Sequence, residues 1–211
     1  MIKYKHETNF RRNNAFYPCL FFIQHSSRID IDSTKQNDEQ LFNDFREFCD
    51  HFNSLYFVEE HDIQSFIYLY YTMQNHKIEI PKEEIFNSSF PISLIQSIQQ
   101  LLDDNPKGDR FLSPYVYALS YIICLNNSYY DDDIIEILLE IINQYANFVL
   151  TMLHTLICLI YISQNDKYDQ MLFSQIDQLL FYAENLPNLN NSQAIVKFSE
   201  VLLNISRKDI D

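Results

Sequence analysis

The residue types best suited to chemistry gather in one stretch: Cys49, Asp50 and His51, followed by Glu59, Glu60, His61 and Asp62. Two imidazoles and several carboxylates form a donor set that a transition metal accepts. No metal-ligand spacing such as His-Glu-x-x-His is present, so the stretch reads as a polar turn between two helices, with Asp62 capping the second. Paired carboxylates recur at Asp103-Asp104, at Asp131-Asp132-Asp133 and at Glu136 with Glu140. Acid–base catalysis needs such pairs in a desolvated cleft. Their positions at helix ends and on a polar face instead predict full solvation. Serines are plentiful, but the chain holds one glycine, Gly108, so none sits in a glycine-framed elbow, and the six histidines are scattered. No catalytic residue, cofactor site or metal site is therefore expected. The chain reads as a non-enzyme, with a metal-dependent enzyme the least favoured alternative.

The elements that would carry any other function are helices. A single glycine in 211 residues excludes dinucleotide fingerprints, phosphate loops and most tight hairpins. Leu41, Phe42, Phe45, Phe48, Cys49 and Phe52 trace one face of an amphipathic helix. The same template fits Leu94, Ile95, Ile98, Leu101 and Leu102; then Ile134, Ile135, Leu138, Ile141, Ile142 and Tyr145; then Leu172, Phe173, Ile176, Leu179, Leu180 and Ala183. Each copy precedes a second, more apolar helix, predicted at 62–75, 113–126, 148–164 and 191–206. The copies start at residues 41, 94, 134 and 172, and an insertion at 78–91 explains the long first interval. With glycine almost absent, Asn126, Asn127, Asn165 and Asn185 are the expected left-handed helix ends. Pro106, Pro114 and Pro187 are expected between helices or in a first turn.

Charge divides the chain. Asp and Glu number 29 against 15 Lys and Arg, a net charge of −14, which repels phosphate backbones and argues against nucleic acid and anionic membrane as partners. Residues 1–36 run the other way, with six basic and three acidic groups. This basic N-terminal arm contains the apolar run Phe16-Tyr17-Pro18-Cys19-Leu20-Phe21-Phe22-Ile23 and is expected to cap the first helix pair. Residues 37–211 form the domain of helix pairs. The apolar segments 115–125 and 148–162 fall short of the roughly 20 residues a membrane span needs. Cys19, Cys49, Cys124 and Cys158 show no CxxC spacing and read as small buried hydrophobes of a reducing compartment. The N-terminus lacks a signal-peptide pattern. These features predict a cytoplasmic or nuclear protein that is not secreted.

On helix-pair period and apolar template, residues 41–206 resemble the armadillo/HEAT class of helical-repeat proteins. The glycine between the short first and second helices of armadillo units is missing, so a two-helix, HEAT-like unit is the closer description. The resemblance implies an all-α, right-handed superhelical stack, an α-solenoid of about four helix pairs with a partly irregular N-terminal cap. It also implies a scaffold that holds a protein or peptide along one face. The second helices carry aromatics at helical spacing: Tyr68 and Tyr71, Tyr117 and Tyr121, His154 and Tyr161. Tyr117 and His154 are 37 residues apart, equivalent positions in successive pairs, and such residues form a ladder along one face. These six are the candidate protein-binding residues, because tyrosine joins apolar area to a hydrogen-bonding tip. The acidic body favours a basic partner. The alternative is a structural subunit or terminal fragment of a larger helical-repeat assembly.

Overall fold

Burial decides where these helices form. The segment Asp-Ile-Ile-Glu-Ile-Leu-Leu-Glu-Ile-Ile is rich in β-branched residues, which are mediocre helix formers. It is helical because Ile134, Ile135, Leu138, Ile141, Ile142 and Tyr145 all go into the core while Glu136 and Glu140 stay outside. In the computed structural model, residues 38–54, 57–104, 109–145, 147–185 and 192–207 are described. Among them the regular elements are α1 (Asp38–His51), α2 (Glu60–Asn75), α3 (Lys82–Asn87), α4 (Phe90–Asp104), α5 (Asp109–Leu125), α6 (Asp133–Tyr145) and α7 (Val149–Ile162). A 3-10 turn (Asp166–Tyr168) then leads into α8 (Asp169–Ser174), α9 (Ile176–Asn185) and α10 (Ser192–Ser206). The described residues contain no strand. The expected N-terminal cap lies outside them.

The helices pack as pairs: α1 on α2, α4 on α5, α6 on α7, and α8 and α9 on α10. The second helices also pack on one another in series, α2 on α5, α5 on α7 and α7 on α10. At the α1 end, Phe90 of α4 joins the first pair to the second, with ring centroids 5.0 Å from Phe48, 4.9 Å from Phe52 and 5.0 Å from Phe66.

Polar bonds between the pairs run at one spacing. Ser89 Oγ donates to the Phe52 carbonyl (2.7 Å), Tyr130 Oη to the Pro91 carbonyl (3.2 Å) and Tyr168 Oη to the Tyr130 carbonyl (2.7 Å), bridging 37, 39 and 38 residues. Asn165 Nδ2 donates to Asn127 Oδ1 (3.1 Å) across 38 residues, and Asn127 Nδ2 in turn to the Tyr161 carbonyl (3.0 Å). Lys167 Nζ donates to the carbonyls of Ser128 (3.1 Å) and Tyr130. The loops after α5 and α7 are therefore tied to each other at the same interval that separates the helix pairs.

The structure departs from expectation at several points. The helix expected from Leu172 is broken into α8 and α9 at Gln175. The Ser174 hydroxyl donates to the Met171 carbonyl (2.7 Å), a local bond that competes with the helical ladder. Leu172 and Leu179 are buried, but Leu180 is left 44% exposed. α2 begins at Glu60, two residues before the expected start; Asp62 still caps it, accepting the Glu59 amide at 2.9 Å. α5 begins at Asp109, so Pro114 lies inside the helix instead of in its first turn. Pro106 and Pro187 are outside the described residues.

The asparagines close their loops without left-handed backbone, since the positive-φ non-glycine residue among the described residues is Lys77 (φ 60°). Asn126 Oδ1 instead accepts from the Ser128 amide (3.1 Å), and Asn165 Oδ1 from the Lys167 amide (2.9 Å). Cys49 and Cys158 are buried as expected; Cys124 is exposed, because it falls on the outward stripe of α5. The insertion at 78–91 holds α3, which packs on α1 and α4.

Candidate functional site

α5 from Phe111 onward and the whole of α7 carry no charged side chain, yet neither is wholly buried. On α5, Leu112, Tyr115, Val116, Leu119, Ile122 and Ile123 point into the core. That leaves Tyr117, Tyr121 and Leu125 half-buried and Cys124 exposed, a stripe at i, i+4 and i+7/i+8. On α7, Met152, Leu156, Leu159 and Ile162 are buried, leaving Leu153, His154, Ile157, Ile160 and Tyr161 half-buried. The packing of α5 on α7 puts the two uncharged stripes side by side.

Rings cross these helices in an unbroken line. Tyr70 of α2 lies 4.3 Å from Tyr121 between centroids, Tyr121 lies 4.8 Å from Tyr117 on α5, and Tyr117 lies 4.5 Å from His154 of α7. The Tyr117 and Tyr121 hydroxyls are hydrogen-bonded to each other. Tyr161 joins the group through Cys124: their side-chain hydrogen bond, with burial adding to it, raises the phenol to about 12. Burial likewise raises the Tyr70 phenol, with Cys124, Tyr121 and Tyr161 close enough to contribute. At the far end, burial lowers His154 to about 4, so its imidazole is neutral at pH 7, and its buried Nδ1 has no hydrogen-bond partner.

Four of the six expected residues, Tyr117, Tyr121, His154 and Tyr161, thus share one face. α2 contributes Tyr70 to the stack, where Tyr68 and Tyr71 were expected. Tyr68 is half-buried against the core and Tyr71 is 39% exposed. The signal for Tyr70 was its phase: it lies four residues after Phe66 and three after Ile67, both buried, so its ring belongs to the inner side of α2.

The polar stretch at the start of α2 is built differently. His61 Nδ1 lies 3.2 Å from Glu59 Oε2 and His61 Nε2 lies 3.2 Å from Asp62 Oδ1. The His61 ring and Glu59 are exposed, whereas Asp62 is buried with its carboxylate satisfied by the Glu59 amide, so the group serves to cap the helix. Burial first, then the nearby Glu60, Asp62 and Glu59 carboxylates, raises Tyr115 to about 12, which places these acids beside the first half of α5. Cys49 is remote from them in chemical character: burial raises its thiol to about 12. Among the described residues no three His, Cys, Asp or Glu side chains converge as metal ligands do. Asp103, Asp104, Asp131, Asp132, Asp133, Glu136 and Glu140 are exposed. Among the described residues no helix is long and apolar enough to cross a membrane.

Comparison of the chain with protein-family models, with curated proteins and with solved structures returns no match. The class therefore rests on the architecture: an all-helical protein of helix pairs packed in series, with an aromatic face on its second helices.

Proposed function

We propose that the protein is a non-enzymatic scaffold that binds a protein or peptide segment along the second-helix face, in the manner of an armadillo/HEAT-like superhelix. The observation that carries this reading is the pair of uncharged, half-exposed stripes on α5 and α7, bridged by the Tyr70–Tyr121–Tyr117–His154 stack. Soluble helices usually present charge on their outward face, and a continuous apolar surface marks an interaction site. Tyrosines at such a surface supply large contact area at low conformational cost. The partner that fits is an amphipathic segment, apolar on one side. A net charge of −14 favours basic groups on its other side.

The test uses a labelled helical peptide with Leu at i, i+3/i+4 spacing and Lys elsewhere, against a scrambled peptide of the same composition. Wild type is expected to prefer the patterned peptide. Tyr117→Ala is expected to weaken binding by about 2 kcal/mol, a hot-spot loss, with the melting temperature nearly unchanged. A lowered melting temperature, with binding reduced only in proportion to the folded fraction, would make these rings core residues and remove the reading.

A second reading, a subunit of a larger helical-repeat assembly, is favoured by the last helix pair. There Leu180, Phe181, Val196 and Leu203 are 44%, 62%, 58% and 47% exposed.

A further inference from the structure

The second-helix face has a candidate occupant within the same chain. We propose that the N-terminal run Phe16-Tyr17-Pro18-Cys19-Leu20-Phe21-Phe22-Ile23 docks on the stripes of α5 and α7, so that an external partner must displace it. The proposal rests on the reading of that face as a docking surface, and it moves the run from the first helix pair to the second helices.

Charge matches on both counts. The run holds eight residues without a charged side chain, as do the stripes it would cover. Arg11 and Arg12 precede it and Arg28 follows it. An uncharged segment thus meets an uncharged surface, and its basic flanks suit a chain whose net charge is −14.

The chain also enters the fold at the right end. Asp38, the first residue of α1, has Oδ1 3.4 Å from His76 Nδ1, just beyond the C-terminal end of α2. Tyr70 and Tyr121, which stack on each other, lie near the C-terminal ends of α2 and α5, as does Cys124. The entry point and the tyrosine stack are therefore at the same end of adjacent helices. Residues 24–37 separate the run from Asp38 and can span roughly 45 Å when extended. Neighbouring helix axes are only about 8–10 Å apart.

Two native thiols report on the contact. Cys19 lies within the run, Cys124 is exposed on the face, and Cys49 and Cys158 are buried. A short bismaleimide applied to the full chain is expected to link Cys19 to Cys124 within one molecule, with a yield unaffected by dilution. If both thiols take a monofunctional maleimide yet no such link forms, the proposal is overturned. A link that forms only between molecules and falls on dilution also overturns it, assigning the face to a second copy.

The double substitution Phe21→Asp with Phe22→Asp, in the full chain, is expected to abolish the link and tighten binding of the Leu/Lys peptide. If the run covers the face about nine-tenths of the time, the gain is about tenfold. Equal peptide affinity in both proteins, lost in both with Tyr117→Ala, would overturn the self-docking while leaving the face intact. No patterned-peptide binding by either protein, together with no link, would overturn both.

Discussion

His154 offers a test of how dry the aromatic face is beneath its outer edge. The imidazole is stacked on Tyr117 at 4.5 Å and its Nδ1 is buried without a partner. A protonated ring must donate from both nitrogens, so the cation is disfavoured; burial alone lowers the group from 6.5 to about 4. Between these values the unfolded chain binds a proton that the folded chain does not, so stability falls as pH drops. The full difference, developed below pH 4, is about 3 kcal/mol, and about 2 kcal/mol of it appears between pH 7 and pH 5.

Replacing the ring with an apolar side chain, His154→Leu, removes this titration and fills most of the same space. At pH 7 the variant is expected to lie within about 1 kcal/mol of wild type. Urea titrations of both proteins at pH 7 and pH 5 give the comparison, since every other titrating group is shared. Wild type is expected to lose about 2 kcal/mol more than the variant. Equal losses would refute the reasoning, showing that the ring is hydrated or already paired in the folded chain.

Tyr168→Phe removes the hydroxyl bond to the Tyr130 carbonyl at a wholly buried site and is expected to cost about 1–2 kcal/mol in urea unfolding. Tyr130→Phe removes a bond to the Pro91 carbonyl, and because Tyr130 also supplies the carbonyl that Tyr168 uses, the double variant is expected to depart from the sum of the two losses by about 0.5 kcal/mol or more. Thiol labelling of the native protein is expected to modify Cys124 quickly and Cys49 and Cys158 only on unfolding, because burial raises both of those thiols; mass spectrometry of timed samples checks the order. Phe181→Glu with Leu203→Glu is expected to convert any self-associated form to monomer in light scattering while leaving helix content unchanged; association that survives would place the contact elsewhere.

Apolar periodicity carried the first three helix pairs, because burial of one face is what holds these helices together and burial is written in residue type. It failed where local hydrogen bonds decide. The break at Gln175 depends on the Ser174 hydroxyl, and the loop ends depend on asparagine side chains reaching backbone amides; neither leaves a periodic trace. The inter-pair register was nevertheless present as Asn-x-x-Tyr-Asp, at Asn127, Tyr130 and Asp131 and again at Asn165, Tyr168 and Asp169. It lies in the loops, outside the helix faces on which apolar periodicity reports. On the aromatic face, Tyr117 and His154 were legible from their equivalent positions. Tyr70 was legible only from its phase beside Phe66 and Ile67, since the insertion before α4 makes its sequence offset to Tyr121 unlike that between Tyr117 and His154.

The bonds from Tyr130 and Tyr168 each end on a carbonyl of the preceding unit, so the loops after α5 and α7 are held by a neighbour as well as by their own helices. Loss of order in one unit then strips a hydrogen bond from the next, and disorder spreads along the series instead of striking at random. A chain built this way should open from its ends. Amide exchange should be fastest in α9 and α10, which sit at one edge of the described series, and slowest in α5, α6 and α7, which have a unit on either side. Opening of the last pair would free the Ser163 hydroxyl now held by Asn204 and leave the rest of the molecule folded.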